Sequence, residues 1–206
     1  LPGITLVTNR FEDAKQILQS FGKYCKNGLI PNVFGERDSQ PMYNTVDASL
    51  WYVDRVYQYL KYTNDLSLAE KLWPTLQSII EGYRKGTDYN IHMDNDFLIS
   101  HGEGLTWMDV KLGNYYSTPR SKTAVEIQAL WYNALQIMST LSTLLGKNDQ
   151  YSELAGNIKN SFSRQYDHPY DVIDTKDLSM RPNQIFLVSL DFPLIEKHMQ
   201  ERIVAD

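Results

Sequence analysis

The chain has 206 residues, of which 42% are hydrophobic and 22% charged, a composition that excludes disorder and fibrous repeats and leaves room for a substantial core. Its 20 basic and 25 acidic residues leave a net charge of -5, which lacks the electrostatic footprint of a nucleic-acid or anionic-membrane binder, whereas neutral ligands such as sugars remain open. A single cysteine, Cys25, excludes an internal disulfide and a cysteine-based zinc cluster, no Asn-x-Ser/Thr acceptor is present, and no apolar run approaches the roughly 18 residues a spanning helix needs. A cytoplasmic protein is expected. The first residue is Leu, without a signal-peptide layout, and the chain is expected to be part of something larger.

Over residues 9–26, Phe11, Ala14, Ile17, Leu18, Phe21 and Cys25 recur at three- and four-residue steps, with Asn9 and Glu12 spaced as a capping box and Gly28 placed to stop the helix. A second helix is predicted over residues 45–63, through Val46, Leu50, Val53, Val56 and Leu60. A third, capped by Ser67 with Glu70, runs to about residue 85. A fourth spans residues 123–145 before Gly146, a fifth residues 149–164, and shorter ones residues 182–190 and 193–206. Strand signals are confined to scraps such as "YDVID", so the chain is expected to be all-α, with about seven helices.

The connections are unequal. Residues 28–44 and 86–121 are long, whereas residues 64–66 and 146–148 are short, and long loops in a compact helical protein are usually functional. Alternation of long and short joints makes the helices beginning near Thr45, Thr123 and Pro182 start at one common mouth, as in a toroid of paired inner and outer helices. Leu50-Trp51-Tyr52 recurs as Leu130-Trp131-Tyr132 on the second and fourth helices, a weak internal echo.

Four segments carry candidate chemistry. Asp47 and Trp51 are four apart at a helix start, so a carboxylate able to accept two hydroxyl hydrogen bonds lies beside an indole able to stack on a pyranose; a dipole partner and a core tryptophan account for the same spacing. Trp107 and Asp109 lie two apart in the long loop, where the indole could provide the apolar surroundings that raise a general acid's pKa, or simply anchor a capped turn. Arg120 leads into the fourth helix, whose first turn carries Glu126, with Gln128 and Trp131 three apart behind it. Asn183 and Gln184 follow Pro182, where their amides either cap the turn or read hydroxyl groups. His92, Asp94, Asp96, His101 and Glu103 are crowded, but a calcium loop from Asp94 would need Gly at Ile99 and Glu at Leu105, and a solvated acidic loop is expected instead.

The stretches "LPGITLVTNRF", "GLIPN", "YNTVDASLWYV", "GLTWMD", "TPRSKTAVEIQALWYNAL" and "RPNQIFLVSL" together resemble the amylo-α-1,6-glucosidase domain of glycogen debranching enzymes of the archaeal and bacterial type. The resemblance implies a partial (α/α)6 toroid, the six-hairpin, glucoamylase-like fold, with residues 1–206 forming one domain that is the N-terminal portion of the catalytic domain. It implies hydrolysis of α-1,6-linked glucose from glycogen or malto-oligosaccharide branch points by inversion, with two carboxyl groups roughly 6.5–9.5 Å apart. By the motif, Asp109 looks like the general acid, and Asp47, Trp51, Trp107, Glu126 and Trp131, with Arg120, Asn183 and Gln184, would shape the glucose subsite. No cofactor or metal is implied. The general base is expected beyond Asp206, so these 206 residues alone are not expected to hydrolyse the linkage, and an exposed apolar face for the remaining helices is expected to favour self-association. Another inverting α-glycosidase of the same fold and a non-catalytic glucan-binding module are the alternatives.

Overall fold

A computed structural model describes residues 1–34 and 40–205, so the centre of the predicted loop over residues 28–44 and the last predicted helical residue, 206, lie outside the described residues. The described chain is mostly helical: α1 (Phe11–Lys23), α2 (Ala48–Thr63), α3 (Leu66–Lys85), α4 (Val125–Leu144), α5 (Ser152–Gln165), α6 (Phe186–Ser189) and α7 (Lys197–Ala205). Single helical turns at Pro2–Leu6, Asp88–Asn90 and Pro182–Ile185 complete the set. No helix among the described residues is long and apolar enough to cross a membrane.

The expectation of an all-α chain is corrected by two small antiparallel hairpins within the loop over residues 86–121. β1 (His92–Met93) pairs with β2 (Ile99–Ser100), and β3 (Lys111–Leu112) with β4 (Tyr115–Tyr116). Strands of two residues are too short to show alternation, so only their turns mark them; Gly113, at φ 60°, sits in the tight turn between β3 and β4. The "YDVID" stretch contributes isolated bridges of Val172 to Ala124 and Asp177 rather than a strand.

Helix positions follow the apolar spacing, but several caps differ from expectation. Asn9 adopts φ 58° and leads out of the first turn, so Arg10 rather than Asn9 precedes α1 and no capping box forms. Asp65, not Ser67, caps α3, accepting from the Ser67 and Leu68 amides at 3.1 and 3.3 Å. The Lys15 ammonium donates to the same carboxylate at 2.8 Å and holds its pKa well below the usual range. Gly28 does not end α1, which stops at Lys23. It occupies φ 80° in the turn joining Lys26 and Leu29, and a Cβ there would lie 2.8 Å from the Gly82 Cα, so the turn packs directly on the α3 backbone.

α4 is the central element. Every residue from Val125 to Leu135 is buried, and α4 packs against α2, α3, α5 and α6. Between α2 and α4, Asn133 Nδ2 donates to the buried Asp54 at 3.1 Å, and its Oδ1 accepts from the Phe192 amide at 3.2 Å. The side chain of Gln128 pairs like a strand with Ile99, through 2.8 Å bonds to its N–H and C=O, and the Trp131 indole donates to the Phe97 carbonyl at 3.3 Å. The two side chains three apart on α4 thus hold the first hairpin against the core. α7 buries none of its residues, and Leu178 and Met180 nearby are 66% and 72% exposed.

Candidate functional site

Backbone bonds bring the expected mouth together. The Val46 amide donates to the Leu105 carbonyl at 2.8 Å, joining the start of α2 to the loop that carries Trp107 and Asp109. The Val125 amide donates to the Asp171 carbonyl at 3.0 Å, and Ile173 to Thr123 at 3.1 Å, tying the start of α4 to the segment that precedes Pro182–Ile185.

Asp47 stands immediately before α2, half-buried, and accepts a hydrogen bond from the Thr45 hydroxyl. Burial pushes its carboxyl above the usual range and the charge of Asp109 pushes the same way, while the bond from Thr45 opposes them. Trp51, one turn along α2, is half-buried with Phe186 edge-on at 5.5 Å and the Arg55 guanidinium 4.7 Å above its ring. Asp47, Trp51 and Arg55 line a cavity of about 360 Å³ with Phe21, Ile30 and Tyr52. A larger cleft of about 550 Å³ between residues 178–185 and α7 includes Gln184 but no carboxylate.

Trp107 is 53% exposed, and its indole N–H donates to Asn183 Oδ1 at 2.8 Å. Asp109 is exposed, so of the two readings of this pair the one in which Trp107 encloses the carboxyl is not the arrangement in this chain. Leu105 and Thr106, just before them in the loop, are buried.

Beneath this surface lies an ion network whose centre, Arg120, Glu126 and Asp171, is buried and whose outer members, Arg181 and Asp177, are partly exposed. Arg120, 1% exposed, donates to both oxygens of Glu126 at 2.6 and 2.5 Å and to both oxygens of Asp171 at 2.7 and 3.1 Å. Arg181 adds 2.6 and 2.8 Å bonds to Asp171 and Asp177, and Asn183 Nδ2 donates to Asp171 at 2.5 Å. Burial raises the Glu126 carboxyl while the guanidinium pulls it down. Within this chain Arg120 and Glu126, expected in the glucose subsite, spend their hydrogen-bonding capacity on each other and on Asp171.

Trp131, also expected there, is fully buried, stacked on Tyr83 at 6.0 Å, and is a core residue. Gln184 takes the capping alternative: its Oε1 accepts from the Arg181 amide at 3.2 Å and its Nε2 donates to the Ser179 and Pro169 carbonyls. The structure thus places Asp47 and Trp51 on one cavity wall and joins Trp107 to Asn183, while Asp109 lies exposed in the same loop as Trp107 and Arg120 and Glu126 are buried in the ion network. Asp171 was missed; its only sequence signal is an acidic residue within an apolar, strand-like run.

His101 departs from the solvated loop expected for its neighbours, being 2% exposed, with Nδ1 against the Gly102 carbonyl at 2.8 Å and Nε2 unpartnered. Burial, with the nearby Arg120 charge, pulls its pKa down to about 4 from 6.5, against the opposing Asp174. Between these values the unfolded chain takes up a proton that the folded protein refuses. Stability therefore falls as pH drops from 6.5 to 4, by about 3 kcal/mol in all, and this contribution is constant above 6.5. The raised carboxyls of Asp47, Asp54 and Glu126 act with the opposite sign, so the histidine part is the difference between native protein and His101→Gln. Urea midpoints at about pH 7 and about pH 4.5 should drop more steeply in the native protein; parallel drops would refute the assignment.

A family model described as "Amylo-alpha-1,6-glucosidase" matches residues 1–206. The glycogen debranching enzyme of Saccharomyces cerevisiae is 24% identical over 241 residues, covering 83% of this chain and 16% of that protein. Among solved structures, "rhamnosidase from Klebsiella oxytoca with rhamnose bound" matches with a TM-score of 0.66 at 18% identity, over 96% of this chain and 37% of that one. The chain spans well under two thirds of either relative, and the likeness to the rhamnosidase is one of fold.

Proposed function

Because the chain belongs to the amylo-α-1,6-glucosidase family, matching its model over residues 1–206, we propose that it forms the acid-bearing wall of a glycoside hydrolase releasing α-1,6-linked glucose from glycogen or limit dextrin. The observation that carries this reading is that the start of α2, which Asp47 precedes, is bonded to the loop that carries Trp107 and Asp109, and that Trp107 in turn bonds to Asn183. Asp109 donates a proton to the glycosidic oxygen. Asp47 accepts hydrogen bonds from glucose hydroxyls, and the free face of Trp107 stacks on the ring. The exposure of Asp109 agrees with a group that must reach substrate, and the bound glucan then supplies the enclosure that the free site lacks.

The architecture is proposed as part of an (α/α)6 toroid, in which α2 and α4 are inner helices and α1, α3 and α5 outer ones. The mutual packing of α2 and α4, and the burial of α4 on all sides, support it. Inversion requires a second carboxylate that activates water on the opposite face of the sugar. None of the carboxylates described above is assigned this role. A cytoplasmic location is part of the same proposal.

The test is glucose release by the protein that carries this chain. Limit dextrin with single α-1,6-linked glucose stubs is the preferred substrate, and the first product formed is β-glucose. Equal rates on linear α-1,4 maltotriose would instead favour a glucoamylase-like enzyme, and tight glucan binding without glucose release would favour a binding module.

A further inference from the structure

The indole of Trp107 is held by a chain of bonds that begins deep in the ion network. Asp171 and Asn183 are both 0% exposed, whereas Trp107 is 53% exposed, so the chain runs from core to surface. Asp171 Oδ2 accepts from Arg120 Nε at 2.7 Å and from Arg181 Nη1 at 2.6 Å, while Oδ1 accepts from Arg120 Nη2 at 3.1 Å and Asn183 Nδ2 at 2.5 Å. A carboxylate can only accept. The Asn183 amide is therefore unable to flip: its NH2 must face Asp171, which leaves its oxygen facing outward, where it meets the one donor that indole possesses, at 2.8 Å.

We propose that Asp171 is a positioning residue for Trp107, orienting the Asn183 amide so that the indole is pinned by its N–H edge with its face left to the solvent. Among the described residues no aromatic ring packs on that face. With its single N–H already used, the indole offers a ligand only a flat apolar surface. That surface suits the C–H face of a pyranose, and a wrongly directed amide would release it. The sugar-binding part of this inference rests on the function proposed above, but the pinning of the ring does not.

Heteronuclear NMR of the Trp107 indole N–H, assigned by its loss in Trp107→Phe, reads the pinning directly. Asn183→Ala removes both the acceptor of the indole and the donor to Asp171, and its indole proton should exchange with water at least about tenfold faster than in the native protein. Asp171→Asn should raise exchange likewise while Asn183 is intact, which a purely structural loss at residue 183 would not explain. Native-like exchange in Asp171→Asn would overturn the role of Asp171, and native-like exchange in Asn183→Ala would overturn the whole bond chain. Isomaltose, titrated into the same samples, separates the two claims. Faster exchange with weakened isomaltose binding supports both, whereas faster exchange in a protein whose native form binds no isomaltose supports the pinning and removes the sugar platform.

Discussion

Arg120→Ala should destabilise the fold by about 4 kcal/mol, among the largest single-residue effects in the molecule. The guanidinium is 1% exposed and satisfies two carboxylates at once, Glu126 through 2.6 and 2.5 Å bonds and Asp171 through 2.7 and 3.1 Å bonds. Its removal leaves Asp171 with Arg181, but leaves Glu126 with no cation partner among the described residues. Breaking a buried pair by deleting one partner is costly because the surviving charge has neither water nor a counterion.

Glu126 can escape only by taking up a proton, which burial already favours. The loss should therefore be smaller at low pH, and Glu126→Gln in the Arg120→Ala background should recover part of it. Arg120→Lys keeps the charge but not the planar fork, and falls between the two. Urea unfolding measures all four proteins, and an Arg120→Ala midpoint close to native would show that the network is dispensable.

Asp109→Asn, in the protein that carries this chain, should lower glucose release from limit dextrin about 10³-fold, with glucan affinity changed only a few-fold. The amide fills the same space but has no proton to give to a departing sugar oxygen. The chemistry supplies its own control: α-glucosyl fluoride needs no protonation of its leaving group, so the variant should hydrolyse it at close to the native rate. If both substrates fail together, Asp109 holds the site together instead of acting as its acid. If neither fails, the acid is elsewhere.

Much of the helical frame was legible in one sequence because burial repeats every three to four residues. Phe11 through Phe21 and Val46 through Leu60 announce α1 and α2 with only their ends displaced. The ends were less legible, since a cap is chosen by competition among neighbouring polar groups. Asp65 won over Ser67 because it is also held by Lys15, 50 residues away. The mouth was legible from loop lengths, which order the helix starts before any contact is known.

What remained hidden was the direction in which each polar or aromatic group faces. Trp107 and Trp131 are the same residue type in similarly apolar surroundings, yet one is 53% exposed and the other fully buried. Glu126 and Asp109 both resemble site carboxylates, and only one of them reaches the surface. The sequence by itself determined the helical class and the approximate elements, because those depend on local periodicity and chain length. Only the tertiary structure decided which of their residues meet solvent and which hold one another. That choice turns on a guanidinium at position 120 meeting a carboxylate 51 residues later, a pairing made by packing in space, which no local spacing encodes.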